Sequence, residues 1–428
     1  MMKRLLLITD SFPPAFAPRM GYLCKHLVRA RGWWITAMHG KGGAGSHPMA
    51  FSHLANIVQE EIEYEWEDGI HGRSIWEGGR LFLCGEYGLG SFLAFLFGKV
   101  FYKFAGYGLN LGARRLIRAI LRKREFDVIL SSSGGARMYE LADYAARISG
   151  LPVVHDFRDI IEELGAESRR DERSARRLLA RRNAAIGRSA GIIGVIQDHV
   201  NIIKENSSNA RLIYNGYDPD VFGYCEPEHT DTFDMVYIGS IYWIENSVEM
   251  LFDGIKCFVE KYGYCDGFNV VFYSTADAFQ AGVVPFLPPL VAPVVSRKDP
   301  VPQTELKRVF AKTSVLLVMG NKTVGIPVGI STKVFEYLAS GRPILEAISG
   351  DERDCEVVLR GANAGYIART PEAISDYLWK SYCEWKMNGL VRGTTNMEYV
   401  KQFSRKTQAE QFEKILEDVI EERAKNAV

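Results

Sequence analysis

The sequence predicts an α/β chain built from two doubly wound, parallel-sheet domains in succession. Three observations predict it. Short continuous apolar runs recur along the chain, bounded by Gly, Pro, Asp and Ser, as strands buried on both faces require. Helical stretches separate these runs, and alternating strands and helices build parallel sheets. The alternation then restarts after the turn-rich stretch YNGYDPDVF at 214–222.

LLLIT (5–9) reads as a buried first strand, because its apolar run is too short for a secretory leader. A Pro-rich loop leads to a helix over 22–31 and a strand over 34–38. DVILSS (127–132), a helix over 138–147, LPVVHDF (151–157), GIIGVI (191–196) and ARLIYN (210–215) complete a first domain, 1–214. The second domain, 215–400, opens on DMVYIG (234–239). A helix over 248–262, NVVFYS (269–274), SVLLVM (314–319), a helix over 333–340 and a strand over 343–347 follow. The charged stretch 397–427 reads as helical, so residues 401–428 are expected to pack back across the joint.

The chain has 428 residues, 47% hydrophobic and 24% charged, so it can build cores and is not a disordered chain. Its 52 Lys/Arg and 52 Asp/Glu make it formally neutral, which argues against a dedicated nucleic-acid binder. The neutrality hides an asymmetry. Residues 1–214 hold 30 basic and 22 acidic side chains, a net of +8 that the remainder offsets. A basic first half invites an anionic partner, either a phosphorylated substrate or an anionic membrane surface. Seven scattered cysteines, none in a CxxC pair, fit reduced thiols in a cytoplasmic protein better than disulfides or zinc.

Residues 81–111 are aromatic, apolar and Gly-rich. Their longest uncharged run, 87–98, is too short to span a bilayer. From Lys99 to Arg124 there are eight basic residues and no acid. The combination suits a peripheral segment lying on an anionic membrane; buried core helices with a solvated basic end are the plainer alternative. A second basic run, 169–188, holds eight Arg against two acids, the usual sign of a solvated helix face.

Chemistry concentrates in three places. In SFPPAFAPRMGYLCKHL (11–27), a strand end, a Pro-rich turn and Gly21 before a helix would bring backbone N–H groups to a phosphate, with Arg19 adding charge. No GxGxxG accompanies it, which disfavours a dinucleotide oxidoreductase. HDFRD (155–159) lies past a strand end, where open parallel sheets bind ligands, and its Asp156, Arg158 and Asp159 can also pair locally. In GIPVGISTKVFEYLASGRPILEA (325–347), Thr332 can cap a short helix and Gly341 can end it. Lys333 and Glu336, three apart, share a face at its N-terminal end. A cation at a helix N-terminus suits a diphosphate, and a carboxylate one turn on suits ribose hydroxyls. A surface ion pair is the ordinary alternative.

Four segments in order resemble retaining glycosyltransferases of the GT-B fold, close to glycosyltransferase family 4 (the group 1 type). SFPPAFAPR resembles the family's loop after strand one. SAGIIGVIQDHVNIIKENSSNARLIYNGYDPDVF (189–222) resembles its stretch ending in an Asn-Gly-x-Asp turn. DMVYIGS (234–240) resembles the first strand of its nucleotide lobe, and STKVFEYLASGRPIL (331–345) its donor helix. The likeness spares roughly residues 45–120. It implies two Rossmann-like doubly wound domains facing a cleft, a nucleotide-sugar donor, an acceptor that is a saccharide or lipid-linked, and no bound metal. It places Lys333 near the diphosphate and Glu336 on the ribose. Arg19 and Gly21 would face the same phosphates, Gly239 and Ser240 would line the donor side, and His155, Arg158 and Asp159 would form the catalytic, acceptor-side group.

Three departures stand out. Val328 occupies the position of the family's first motif glutamate. GSIYWIENS (239–247) lacks the family's basic pair, for which Lys322 and Lys333 are substitutes. Arg158 stands where a histidine is usual. Val328 and the missing basic pair motivate a second reading, a catalytically weakened scaffold or binding partner; a sugar-nucleotide epimerase built on the same two lobes is a third.

Overall fold

A computed structural model describes residues 2–15, 17–40, 54–64, 110–134, 137–160, 172–239, 245–319, 329–348 and 353–426. The chain divides into two compact units, Met1–Ile213 with Ala409–Val428, and Tyr214–Gln408.

In the first unit, β1 (Arg4–Thr9), β2 (Trp34–Gly40), β3 (Glu60–Tyr64), β4 (Val128–Ser133), β5 (Val153–Phe157), β6 (Gly191–Gly194) and β7 (Ala210–Leu212) form a parallel sheet. Its order is β3-β2-β1-β4-β5-β6-β7. Helices α1 (Pro18–Arg31), α2 (Leu111–Lys123), α3 (Met138–Ser149), α4 (Glu172–Arg188) and α5 (Gln197–Lys204) lie between the strands in sequence. Burial on both faces explains the continuous apolar runs: Leu5, Leu7, Val128 and Leu130 enter one core, while Leu6, Ile8 and Ile129 enter another. The first of these cores also takes Phe412, Leu416 and Val419 of the last helix, which assigns the C-terminal residues to this unit.

The second unit repeats the scheme. Strands β8 (Phe233–Ile238), β9 (Phe268–Tyr273), β10 (Val295–Lys298), β11 (Val315–Met319), β12 (Ile344–Ala347) and β13 (Tyr366–Ala368) are again parallel, in the order β10-β9-β8-β11-β12-β13. Between and after them come α6 (Glu245–Tyr262), α7 (Ala276–Gly282), α8 (Gln303–Lys312), α9 (Thr332–Ser340), α10 (Arg353–Gly361), α11 (Pro371–Asn388) and α12 (Met397–Val400); α13 (Arg405–Asn426) starts in this unit and runs from Ala409 in the first. The turn that begins the unit is closed by a backbone approach. A Cβ on Gly216 would lie 2.0 Å from the Phe403 carbonyl oxygen, so no side chain fits there.

Several elements depart from expectation for local reasons. Helix α1 begins at Pro18, not 22, because proline at the first helical position has a preset φ and no N–H to leave unpaired. The Glu-rich edge strand β3 escapes a search for apolar runs; its outer residues are charged, as edge strands need. Ser331 precedes α9 in the cap position and Thr332 is already helical; Gly341 does end the helix, at φ 71°. Most of 81–111 lies outside the described residues, and α2 carries the basic residues that follow it. No described helix is long and apolar enough to cross a membrane.

In each unit the strand order reverses between two neighbours, β1 and β4 in the first, β8 and β11 in the second. Crevices at such switch points, beyond the carboxyl ends of the strands, are where doubly wound sheets bind ligands.

Candidate functional site

In the second unit the switch point gathers Gly239, Tyr237, Lys333 and Glu336. Strand β8 is followed at once by Gly239, whose φ of 110° is open to glycine alone. A Cβ there would lie 3.5 Å from Lys333 Nζ, so the strand end and the first turn of α9 approach closely. The Ile238 N–H donates to Tyr337 Oη at 3.0 Å, which ties the end of β8 to the middle of α9. The strand end and the helix N-terminus are thereby held side by side, and a helix N-terminus presents unpaired donors and a partial positive charge.

Lys333 is held from one side. Its ammonium donates to Tyr237 Oη at 2.6 Å and sits 4.0 Å from the centre of the same ring. Desolvation lowers the Lys333 ammonium to about 8, with Glu336 opposing the shift. Glu336 is raised to about 7, first by desolvation, while Arg405 and Lys333 pull it down. Both side chains are half-buried, and loss of water disfavours the charged form of each. Burial also raises the Tyr237 and Tyr337 hydroxyls far above their ordinary value, so both stay neutral. The result is a cation and a carboxyl group of moderate basicity, one turn apart, beside a bare backbone.

The first unit's switch point is arranged otherwise. Asp10, just past β1, accepts from the Gly134 N–H at 3.1 Å and pairs with Arg158 in a close contact. The Arg158 N–H donates to the Ser133 carbonyl at 2.8 Å. A Cβ on Gly134 would lie 2.6 Å from the Arg158 guanidinium, so that side chain packs directly over the strand end. Asp159 is raised, chiefly by desolvation, against the pull of Arg158. Arg158 and Asp159 therefore sit where a ligand would bind.

The other expected residues of this unit have structural positions. Arg19 is 5% exposed and meets Asp156 through Nε and Nη2, at 2.9 to 3.2 Å, while Nη2 also donates to the Ile213 carbonyl at 2.9 Å. Ser132 Oγ donates to the same aspartate at 2.8 Å. The arginine expected on a phosphate thus neutralises a buried carboxylate, and Asp156 pairs with it and not with Arg158. Gly21 is inside α1; the space a Cβ would take is filled by the Pro13 ring at 2.7 Å and Leu54 at 3.0 Å. The close approach it permits is to Pro13, not to a ligand.

His155 is fully buried, with Nδ1 2.8 Å from Ser131 Oγ and its ring among Tyr139 and Phe157. Desolvation lowers it to about 4, so it is a neutral core histidine. Ser240 and Val328 lie outside the described residues. Another cluster, His39 with Glu61 and Glu63 at the β2–β3 edge, brings ligand-type atoms within 4.8 Å; His39 Nε2 is already 2.9 Å from Glu61, and His39 pairs in register with Thr9 of β1, next to Asp10.

Sequence reasoning missed Tyr237, Tyr337 and Asp10. Each acts through a contact between distant parts of the chain, and the only local signal was a tyrosine two residues before a strand-end glycine.

No protein-family model matches the chain, and no curated protein matches its sequence. Solved structures do match. Anabaena HepE in complex with UDP is 11% identical, with a TM-score of 0.64 over 97% of this chain and all of the other. Sucrose-phosphate synthase from Thermosynechococcus elongatus is 12% identical, with a TM-score of 0.59 over 98% and 99%. UDP-GlcNAc 2-epimerase from Neisseria meningitidis, bound to UDP-GlcNAc, is 11% identical, with a TM-score of 0.51 over 97% and 100%. The chain has the two-domain, Rossmann-like GT-B fold.

Proposed function

We propose that the chain is a retaining glycosyltransferase that moves a sugar from a nucleotide-sugar donor to a saccharide or lipid-linked acceptor. The observation that carries the reading is the Lys333–Glu336 pair on the first turns of α9, beside Gly239 at a switch point. Lys333 and the helix N-terminus take the diphosphate, and Glu336 accepts from the ribose hydroxyls. The fold neighbours support the donor class: HepE was solved with UDP and, separately, with UDP-glucose.

In the step proposed, the bond from the sugar C1 to the diphosphate oxygen breaks and the acceptor oxygen bonds to C1 on the same face. The acceptor proton passes to the departing phosphate oxygen. Lys333 stabilises the charge that develops on the leaving group, a task for preorganised electrostatics with no bound metal. Arg158 and Asp159 are the groups left to orient the acceptor. A cytoplasmic enzyme working at the inner face of the cell membrane, in surface polysaccharide or glycolipid assembly, fits the basic first unit.

The test is a panel of nucleotide sugars screened by thermal shift, since a ligand stabilises the fold it binds. The donor found should lose binding and turnover in Lys333→Ala and in Glu336→Ala; near-native activity in both overturns the reading. The epimerase neighbour supports a second reading. Conversion of the donor to an isomer with no acceptor present would favour it, and absence of both binding and hydrolysis would favour a scaffold.

A further inference from the structure

The two basic runs of the first unit are used differently. On α4, Arg181 pairs with Glu140 at 3.1 Å, Arg188 pairs with Asp143 at 2.8 Å, and Arg182 is buried beside Asn183. These three arginines of α4 are turned to partners within the unit. Helix α2 is arranged otherwise. It buries Ala113, Ile117 and Ile120 and contains no acidic residue. Its opposite face presents Leu111, Arg115, Arg118, Ala119, Arg122 and Lys123, all exposed. At 100° per residue, Leu111, Arg115, Arg118 and Arg122 fall within one narrow stripe. Arg114, half-buried on the flank of the helix, and the exposed Arg118 both lie near the Tyr144 ring, at 4.9 and 5.7 Å. Arg115, Arg122 and Lys123 have no ion-pair or hydrogen-bond partner among the described residues.

We infer that this face of α2 docks the protein on a bilayer surface containing anionic phospholipid. The chain is formally neutral, so the attraction has to be local, and an acid-free row of cations supplies it. An exposed leucine on the same stripe suits the boundary between headgroups and acyl chains better than it suits a nucleic-acid phosphate backbone. The sequence entering the helix agrees, since residues 87–110 are rich in Phe, Tyr, Leu and Gly and contain no acid. The inference rests on the proposed function only for why a membrane is visited, to reach a lipid-presented acceptor.

The test is co-sedimentation of the full chain with phosphatidylcholine vesicles, with and without phosphatidylglycerol, in the absence of donor and acceptor. The expected result is binding only to the anionic vesicles, weakening with salt. Arg115→Gln/Arg118→Gln/Arg122→Gln should lower the partition by about a hundredfold. Lys256→Gln/Lys261→Gln/Lys386→Gln, a matched charge loss on the second unit, should leave it within a few-fold. Both variants should keep the native thermal transition and, with a soluble acceptor, native turnover. Equal binding to neutral vesicles, an unmoved partition in the arginine variant, or binding to nucleic acid in place of anionic vesicles would overturn the inference. Loss of turnover with intact vesicle binding would count against the glycosyltransferase reading alone.

Discussion

Removing one hydroxyl tests the proposed donor site most directly. In Tyr237→Phe the ring under Lys333 is kept and the 2.6 Å acceptor is lost. A hydrogen bond to a charged group contributes about 1.5–3 kcal/mol. Lys333 keeps its ring contact and its attraction to Glu336, so the smaller figure applies, about one pKa unit at 1.4 kcal/mol per unit. The sign follows from what the hydroxyl does: it accepts from the ammonium and so favours the charged form. Its loss moves Lys333 from about 8 toward 7. A diphosphate needs the charged form, so donor affinity should fall as pH rises through that value. Glu336 bounds the other side, because below about 7 it takes up a proton and loses acceptor capacity for ribose. Calorimetric titration of the donor across pH 6–9 should therefore give a narrow maximum between the two values in the native protein. Tyr237→Phe should move the alkaline limb down by about one unit, leave the acid limb in place and weaken binding by roughly fivefold at pH 8. An alkaline limb that stays where it was would refute the claim that Lys333 carries the diphosphate through this contact.

Three further substitutions separate structural from chemical roles. Arg19→Met leaves Asp156 buried without its cation, so stability should drop by about 3–5 kcal/mol in denaturant unfolding, with donor affinity unchanged in the protein that remains folded. His155→Asn should lower the thermal transition while the pH–activity profile keeps its shape, because a histidine held neutral down to about pH 4 contributes no limb near neutrality. Gly216→Ala drives a methyl into the Phe403 carbonyl; a loss of about 3 kcal/mol is expected, which is roughly 6–12 °C for a unit of this size by calorimetry.

The strands were legible because both sheets are buried on both faces, so apolar runs stand out between turn residues. The Lys333–Glu336 pair was legible because helical spacing is local. Arg19, His155 and Gly21 misled for one shared reason. A basic residue after a first strand, a histidine at a strand end and a glycine at a helix start are chemically suggestive, and only burial tells a ligand group from a core group. That burial comes from β5, α1 and the Pro13 loop meeting, and Arg19 and Asp156 lie 137 positions apart in the chain. Tyr237 was hidden for the converse reason: it looks like an ordinary strand aromatic until a lysine 96 residues later is placed on its hydroxyl.

The two switch points show how one topology yields two kinds of site. In the first unit Asp10 meets Arg158, and Arg19 meets Asp156, so these four charges offset one another and leave little positive field for a ligand. Such pairs orient; they do not attract strongly. In the second unit the cation is held by a neutral phenol, and its nearby carboxyl titrates close to neutrality. A lysine without a full counter-charge, next to a helix terminus of the same sign, is costly to keep folded. An arriving diphosphate would remove that cost, so the donor should stabilise the second unit more than its contact area implies. If donor binding left Lys333 no harder to deprotonate, measured as proton uptake on binding near pH 8, this reasoning would fail.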